Sequence, residues 1–171
     1  RRRIGYEINM AKAGKEARII LKMNALQDPA MIDELYKASE AGVKIDLIVR
    51  GICCLIPNQP YSRNIRITRI VDSFLEHARV WYFHHGGKPF LFMGSPDWMR
   101  RNLYRRIEAV TPILDEDLKQ QLIDMLAIQL KDNRKAGWVD ENLNNVLKRN
   151  PKEEPVRAQY AFYEYLKGKN K

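Results

Sequence analysis

The chain has 171 residues, 45% of them hydrophobic, enough to bury one full core, so a single domain over residues 1–171 is expected. Its 30% charged and 9% aromatic content exclude intrinsic disorder along most of the length, and no apolar run approaches the roughly 20 residues that span a bilayer. Thirty Lys and Arg against 21 Asp and Glu leave a net charge of +9, which favours an anionic partner: nucleic acid, phospholipid headgroups or a phosphate polymer.

The N-terminus lacks the apolar stretch of a secretory signal, so a cytoplasmic address is expected. The first residue is Arg1 and no initiator Met precedes it, so a segment of a longer protein is expected. Cys53 and Cys54 are adjacent, where a disulfide would be strained, and no further Cys or nearby His supplies a zinc spacing. Both are expected to be reduced and buried.

In chain order, Ile4, Ile8 and Ala11 recur at helical spacing and Gly14 follows, which predicts an amphipathic helix over residues 4–14. Residues 17–24 are short, apolar and partly β-branched, as in a strand. Asp28 and Pro29 then open a helix with Ile32, Leu35 and Tyr36 on one face, which Gly42 ends. Residues 44–49 form the next strand, completing a strand-helix-strand crossover of parallel type. Asn24 and Arg50 follow these two strands, and ligands of open parallel sheets bind outside the carboxyl ends of strands.

Two prolines make residues 56–63 a loop, followed by a strand at 65–68 and a short helix at 70–76 that His77 closes. Strands at 80–83 and 90–93 flank His84, His85, Gly86 and Gly87, a hairpin in which both His read as exposed turn residues. A further strand is predicted at 106–110. From Leu114, the residues Leu118, Leu122, Met125 and Leu126 share one helical face, with acids in the first turn. Residues 132–155 read as irregular, and a terminal helix is predicted at 156–166.

The chemistry-bearing groups at strand ends and in loops are Lys22, Asn24, Arg50, His77, Arg79 and the run 94–102, including Arg101, with Arg106 beyond it. Phosphoryl transfer needs cations and donors fixed around non-bridging oxygens, and this set supplies those types. Alone, each has a bland reading. A strand-end arginine is commonly solvated, His77 fits a cap as well as a proton-transfer group, and Ser95 with Asp97 suits the cap of a helix near Pro96. Trp98 and Met99 read as packing residues, whereas Arg100, Arg101, Arg105 and Arg106 form a basic cluster denser than solubility requires.

Residues 17–55, ARIILKMNALQDPAMIDELYKASEAGVKIDLIVRGICCL, resemble the C-terminal domain of class-1 polyphosphate kinases. The resemblance continues through NIRITRIVDSFLEHARVWYF, GSPDWMRRNLYRRIEAVTPI and VRAQYAFYEYLK, and so covers nearly the whole chain. It implies an α/β, phospholipase-D-like domain with a mixed, mostly parallel sheet flanked by helices. It also implies reversible transfer of the ATP γ-phosphoryl group to inorganic polyphosphate with Mg²⁺, through a phosphohistidine in an upstream domain of the same chain, where the metal ligands would also lie.

By the same resemblance, the VRG arginine, Arg50, and the LEH histidine, His77, contact nucleotide phosphates, with His77 the assisting acid and not the nucleophile. Lys22, Asn24, Arg101 and Arg106 are further phosphate-binding candidates, and no metal ligand is expected in this chain. The isolated domain is expected to be inactive, the full-length protein a homo-oligomer. A phospholipase-D-like phosphodiesterase is disfavoured, because His77-Ala78-Arg79 lacks the Lys of that motif and His84 stands where its Asp would. A phosphate-polyanion or nucleic-acid binding module is the other alternative; no recognised nucleic-acid motif is present, so no specific nucleic acid is expected.

Overall fold

The computed structural model describes residues 1–149 and 151–169. A single mixed sheet of eight strands organises them: β1 (Arg18–Met23), β2 (Lys44–Val49), β3 (Ile65–Ile70), β4 (Val80–Phe83), β5 (Phe90–Gly94), β6 (Val110–Pro112), β7 (Ala136–Val139) and β8 (Asn145–Leu147). Their order across the sheet is β6-β5-β4-β1-β2-β3-β7-β8. Five helices accompany it: α1 (Arg2–Lys12), α2 (Pro29–Glu40), α3 (Arg100–Arg105), α4 (Glu116–Lys131) and α5 (Ala158–Lys169).

The parallel crossover is present. β1 pairs with β2, and β2 with β3, both in parallel. The remaining pairings are antiparallel, so "mostly parallel" holds only for the centre of the sheet. The reason is connection length: the short links between β4 and β5 and between β7 and β8 can join only antiparallel neighbours.

Alternation along the central strands builds two cores. Ile19, Leu21 and Met23 of β1 pack with Ile45, Leu47 and Val49 of β2 toward Ile4 of α1 and Ile32 and Leu35 of α2. Ile20, Ile48, Ile70 and Val80 face the other way, toward Leu126 of α4 and Ala158 of α5. Strands covered on both faces carry apolar residues in continuous runs, as Ile19-Ile20-Leu21 of β1 and Leu47-Ile48-Val49 of β2 do. Asp28 caps α2 by accepting from the Met31 N–H at 3.0 Å, and Gly42, at φ +97°, turns the chain out of the helix. Among the described residues, no helix is long and apolar enough to cross a membrane.

Four sequence expectations are corrected. Residues 71–79 form no helix: the Phe74 N–H donates to Gln159 Oε1 at 2.9 Å, so α5 side chains take bonds a helix would have kept internal. The strand expected at 106–110 is a connection that leaves α3 after Arg105, with pairing only from Val110, opposite Gly94. The irregular stretch 132–155 contains β7 and β8. The Asp132 carboxylate accepts from the N–H groups of Arg134, Lys135 and Ala136 at 2.9, 2.7 and 2.9 Å, a turn that delivers β7 to β3. On α4, Leu118 is 55% exposed, and the stripe facing the sheet runs through Leu122, Ile123 and Leu126.

Smaller corrections concern single side chains. His84 and His85 are not exposed: the His85 ring stacks on Tyr6 at 3.8 Å and meets the Phe90 ring edge-on at 4.4 Å. Cys53 is buried but Cys54 is exposed, because adjacent residues of an extended segment face opposite sides.

Candidate functional site

The carboxyl ends of β1 and β2, the segment before β4 and the loop after β5 enclose a cleft of about 720 Å³. Asn24, Arg50, His77, Arg79, Ser95, Asp97, Arg101, Arg106 and Glu108 contribute to its lining. Sheet register explains the meeting: Met23 is paired with Val49, so Asn24 and Arg50 leave the sheet side by side. Arg50 Nε donates to Asn24 Oδ1 at 3.1 Å, which orients the guanidinium. Its two terminal nitrogens make no hydrogen bond or ion pair among the described residues and remain available to an anion's oxygens.

Asp97 organises the floor. Its Oδ1 accepts from the N–H groups of Asn24 and Ala25 at 2.8 and 3.2 Å, and its two oxygens accept from Arg79 Nε and Nη2 at 3.2 and 2.9 Å. Burial pushes the Asp97 carboxyl up, but the Arg79 guanidinium and the two backbone N–H groups outweigh it and hold the group below its ordinary value. Asp97 therefore does not cap a helix near Pro96. The helix, α3, starts only at Arg100, and Ser95 instead donates to Glu108, whose other oxygen accepts from Asn102 at 2.7 Å. These two bonds hold the Glu108 carboxyl below its usual value.

Arg79 also fixes the state of His77. Its Nη1 lies 3.0 Å from His77 Nδ1 and 2.9 Å from the His77 carbonyl oxygen. A guanidinium has donors only, so Nδ1 is the acceptor and the proton of the neutral ring sits on Nε2. His77 itself is exposed. An exposed imidazole with Nδ1 occupied and Nε2–H outward can donate a hydrogen bond but cannot use Nε2 as a nucleophile.

Of the residues singled out from sequence, Asn24, Arg50, His77, Arg101 and Arg106 converge on this cleft and Lys22 does not. The Lys22 ammonium points to the α4 and α5 side of the sheet, where Nζ donates to Glu76 Oε2 at 2.6 Å. Sequence reading missed Asp97 as the hub, because its partners lie 18 and 72 to 73 residues away; it included Asn102 only as part of the run 94–102 and missed Glu108 altogether. The one available signal was the pairing of an acid in a Ser95-Pro96-Asp97 loop with a surplus of arginines.

Comparison with known proteins follows the same line. The family model "Polyphosphate kinase C-terminal domain 2" matches residues 1–159. The polyphosphate kinase of Vibrio cholerae is 48% identical over 171 residues, covering 99% of this chain and 24% of the relative. That of Halalkalibacterium halodurans is 48% identical over 94% of this chain. The crystal structure of the Porphyromonas gingivalis polyphosphate kinase superposes with a TM-score of 0.97 at 59% identity, covering 98% of this chain and 26% of that one. The chain thus spans about a quarter of the length of these relatives. NucT from Helicobacter pylori, TM-score 0.54 at 12% identity, and the phospholipase D family member Nuc from Salmonella typhimurium, 0.52 at 14%, share the fold. With a family model over residues 1–159 and relatives alike across almost its whole length, the chain belongs to the polyphosphate kinase C-terminal domain family and has the phospholipase-D-like fold.

Proposed function

We propose that this chain is the C-terminal catalytic domain of a cytoplasmic, homo-oligomeric ATP:polyphosphate phosphotransferase, and that its cleft holds the phosphates of ATP or ADP. The supporting observation is a guanidinium, Arg50, anchored through Nε with both terminal nitrogens open, in one cleft with a histidine whose Nδ1 is engaged by Arg79 and whose Nε2 is left to face a ligand. In the reaction, a histidine nitrogen of an upstream domain attacks the γ-phosphorus, the bond to the β,γ-bridging oxygen breaks, and ADP leaves. An oxygen at the polyphosphate end then attacks the phosphohistidine, forming the new P–O bond as the P–N bond breaks.

Charge develops on the bridging oxygen in the first step. Arg50 pairs with the β- and γ-phosphate oxygens in a planar fork, and His77 Nε2–H donates to the leaving oxygen. Arg101 and Arg106 add positive potential at the mouth, and Asn24 acts through Arg50. Lys22 acts through Glu76 and not on phosphate directly.

The residues here do not fit a Mg²⁺ ligand set. Both cleft carboxylates are bonded to protein donors, and no group of three His, Cys, Asp or Glu gathers among the described residues. The reading therefore assigns the ion's ligands to the upstream region.

The test mixes this chain with the separately made upstream region and measures ATP-dependent polyphosphate synthesis, each piece alone serving as control. Activity in the mixture only is expected. Arg50→Lys, which loses the planar fork, should abolish it on a folded protein, and near-normal synthesis by Arg50→Lys or His77→Ala would overturn the assignment.

A further inference from the structure

The segment that carries His77 has no evident means of support. Residues 71–79 make neither helix nor strand, and the large apolar side chains on it point outward: Val71, Phe74 and Leu75 are 66%, 65% and 73% exposed. Neither a backbone ladder nor apolar burial places the imidazole.

What does hold the segment is the residue immediately before His77. The Glu76 carboxylate is turned inward, its side chain only 16% exposed, and it receives donors from three elements. Lys22 of β1 donates to Oε2 at 2.6 Å, Gln159 of α5 donates to Oε1 at 3.1 Å, and Gln129 of α4 donates to Oε2. Gln159 also brackets Phe74, accepting from its N–H at 2.9 Å and donating to its carbonyl at 2.8 Å, and Arg157 grips Asp72 at 2.8 and 2.6 Å. On the other side of His77, Arg79 is fixed on Asp97.

A desolvated ion pair such as Lys22 with Glu76 is a weak source of net stability, since dehydrating both charges consumes most of the attraction. Its three-donor geometry is, in contrast, well suited to fixing one backbone position. We propose that Glu76 is a positioning residue for His77, tethering the catalytic segment to β1, α4 and α5, so that the C-terminal helix, more than 80 residues downstream, sets where the imidazole stands. This rests on the role proposed above for His77. Lys22, at first a phosphate-binding candidate, belongs to the tether.

The experiment uses Glu76→Gln in this chain and in the longer enzyme that carries it. In the chain, nitrogen-15 spectra of the imidazoles should show His77 wild type as the Nε2–H tautomer, and Glu76→Gln as a mixture with the Nδ1–H form. In the enzyme, kcat should fall on the order of 10- to 100-fold with the KM for ATP changed less than about 2-fold, as expected for a misplaced group whose hydrogen bond strengthens as charge develops on the leaving oxygen. In a His77→Ala background, Glu76→Gln should cost nothing further. If Glu76→Gln does not fold, Gln129→Met withdraws one donor and leaves the ion pair, and should give the same changes in smaller measure.

An unchanged tautomer and turnover in the folded variants, or a loss that adds to that of His77→Ala, would overturn the tether. Full activity in His77→Ala alone would instead refute the role given to His77, with the tautomer spectra still deciding whether Glu76 positions the ring.

Discussion

Replacing Asp97 with Asn should cost this domain about 3 kcal/mol, because the side chain keeps its shape and loses its charge at the point where the cleft is tied together. The Asp97 and Arg79 side chains are 9% and 12% exposed, so the pair is largely out of water. Breaking such a pair from one side costs roughly 3–5 kcal/mol, since the remaining guanidinium is left uncompensated. Asn returns part of this. Its Oδ1 still accepts from the N–H groups of Asn24 and Ala25, but its amide then opposes donor to donor the Arg79 nitrogen that had been 2.9 Å from Oδ2.

For a chain of 171 residues, each kcal/mol moves the melting midpoint by about 2–4 °C, so a fall of about 6–12 °C is expected at pH 7. Circular dichroism melts and urea titrations of wild type and Asp97→Asn measure it. The pH dependence follows from the direction of the shift. The folded carboxyl titrates below its unfolded value, so its stabilisation is complete above the unfolded pKa of about 3.9 and is lost as pH falls through the folded value. Wild type and variant should therefore converge below about pH 4. A gap under about 1 kcal/mol at pH 7, or one that persists undiminished at pH 3, would refute the reasoning.

A second carboxylate gives a related signal: Arg157 holds Asp72 down to about 2, so wild type should lose stability between about pH 4 and 2 and Asp72→Asn should lose less over that interval, as acid titrations of both will show. The two thiols should separate under a maleimide or disulfide reagent, the exposed Cys54 reacting at once and Cys53, buried and pushed up to about 11, only on unfolding; mass spectrometry of the labelled peptides would show equal rates if this is wrong. Gly94→Ala should destabilise by about 1–3 kcal/mol, because the new Cβ would lie 2.9 Å from the Ala109 carbonyl oxygen across the β5-β6 pairing; an unchanged denaturation midpoint would mean that this edge gives way freely.

Much of the frame was legible in the residues. The run RIILKM, a capped helix opening at Asp28-Pro29, Gly42 and KIDLIV together specify a parallel crossover, because each local signal agrees with the next. That crossover put Asn24 and Arg50 at one edge, where the structure has them. What failed was structure held from a distance. Residues 70–76 carry apolar spacing that suits a helix, yet Gln159 and Arg157 capture their polar groups. β7 and β8 lie in a basic, polar stretch whose strand state depends on finding the open edge of β3. The resemblance in motif located His77 and Arg50, and could not tell that Lys22 faces away from them.

The sequence by itself determined the elements of the crossover, the cationic character of the site and the family, since periodicity, caps, charge and a long contiguous likeness are all local or additive properties. Only the tertiary structure decided that Asp97 joins Asn24 to Arg79 and that Glu76 draws its donors from β1, α4 and α5. The physical reason is that hydrogen bonding and ion pairing act over about 3 Å in space and carry no trace of sequence separation, so partners 18 to 83 residues apart become legible only once the chain has closed on itself.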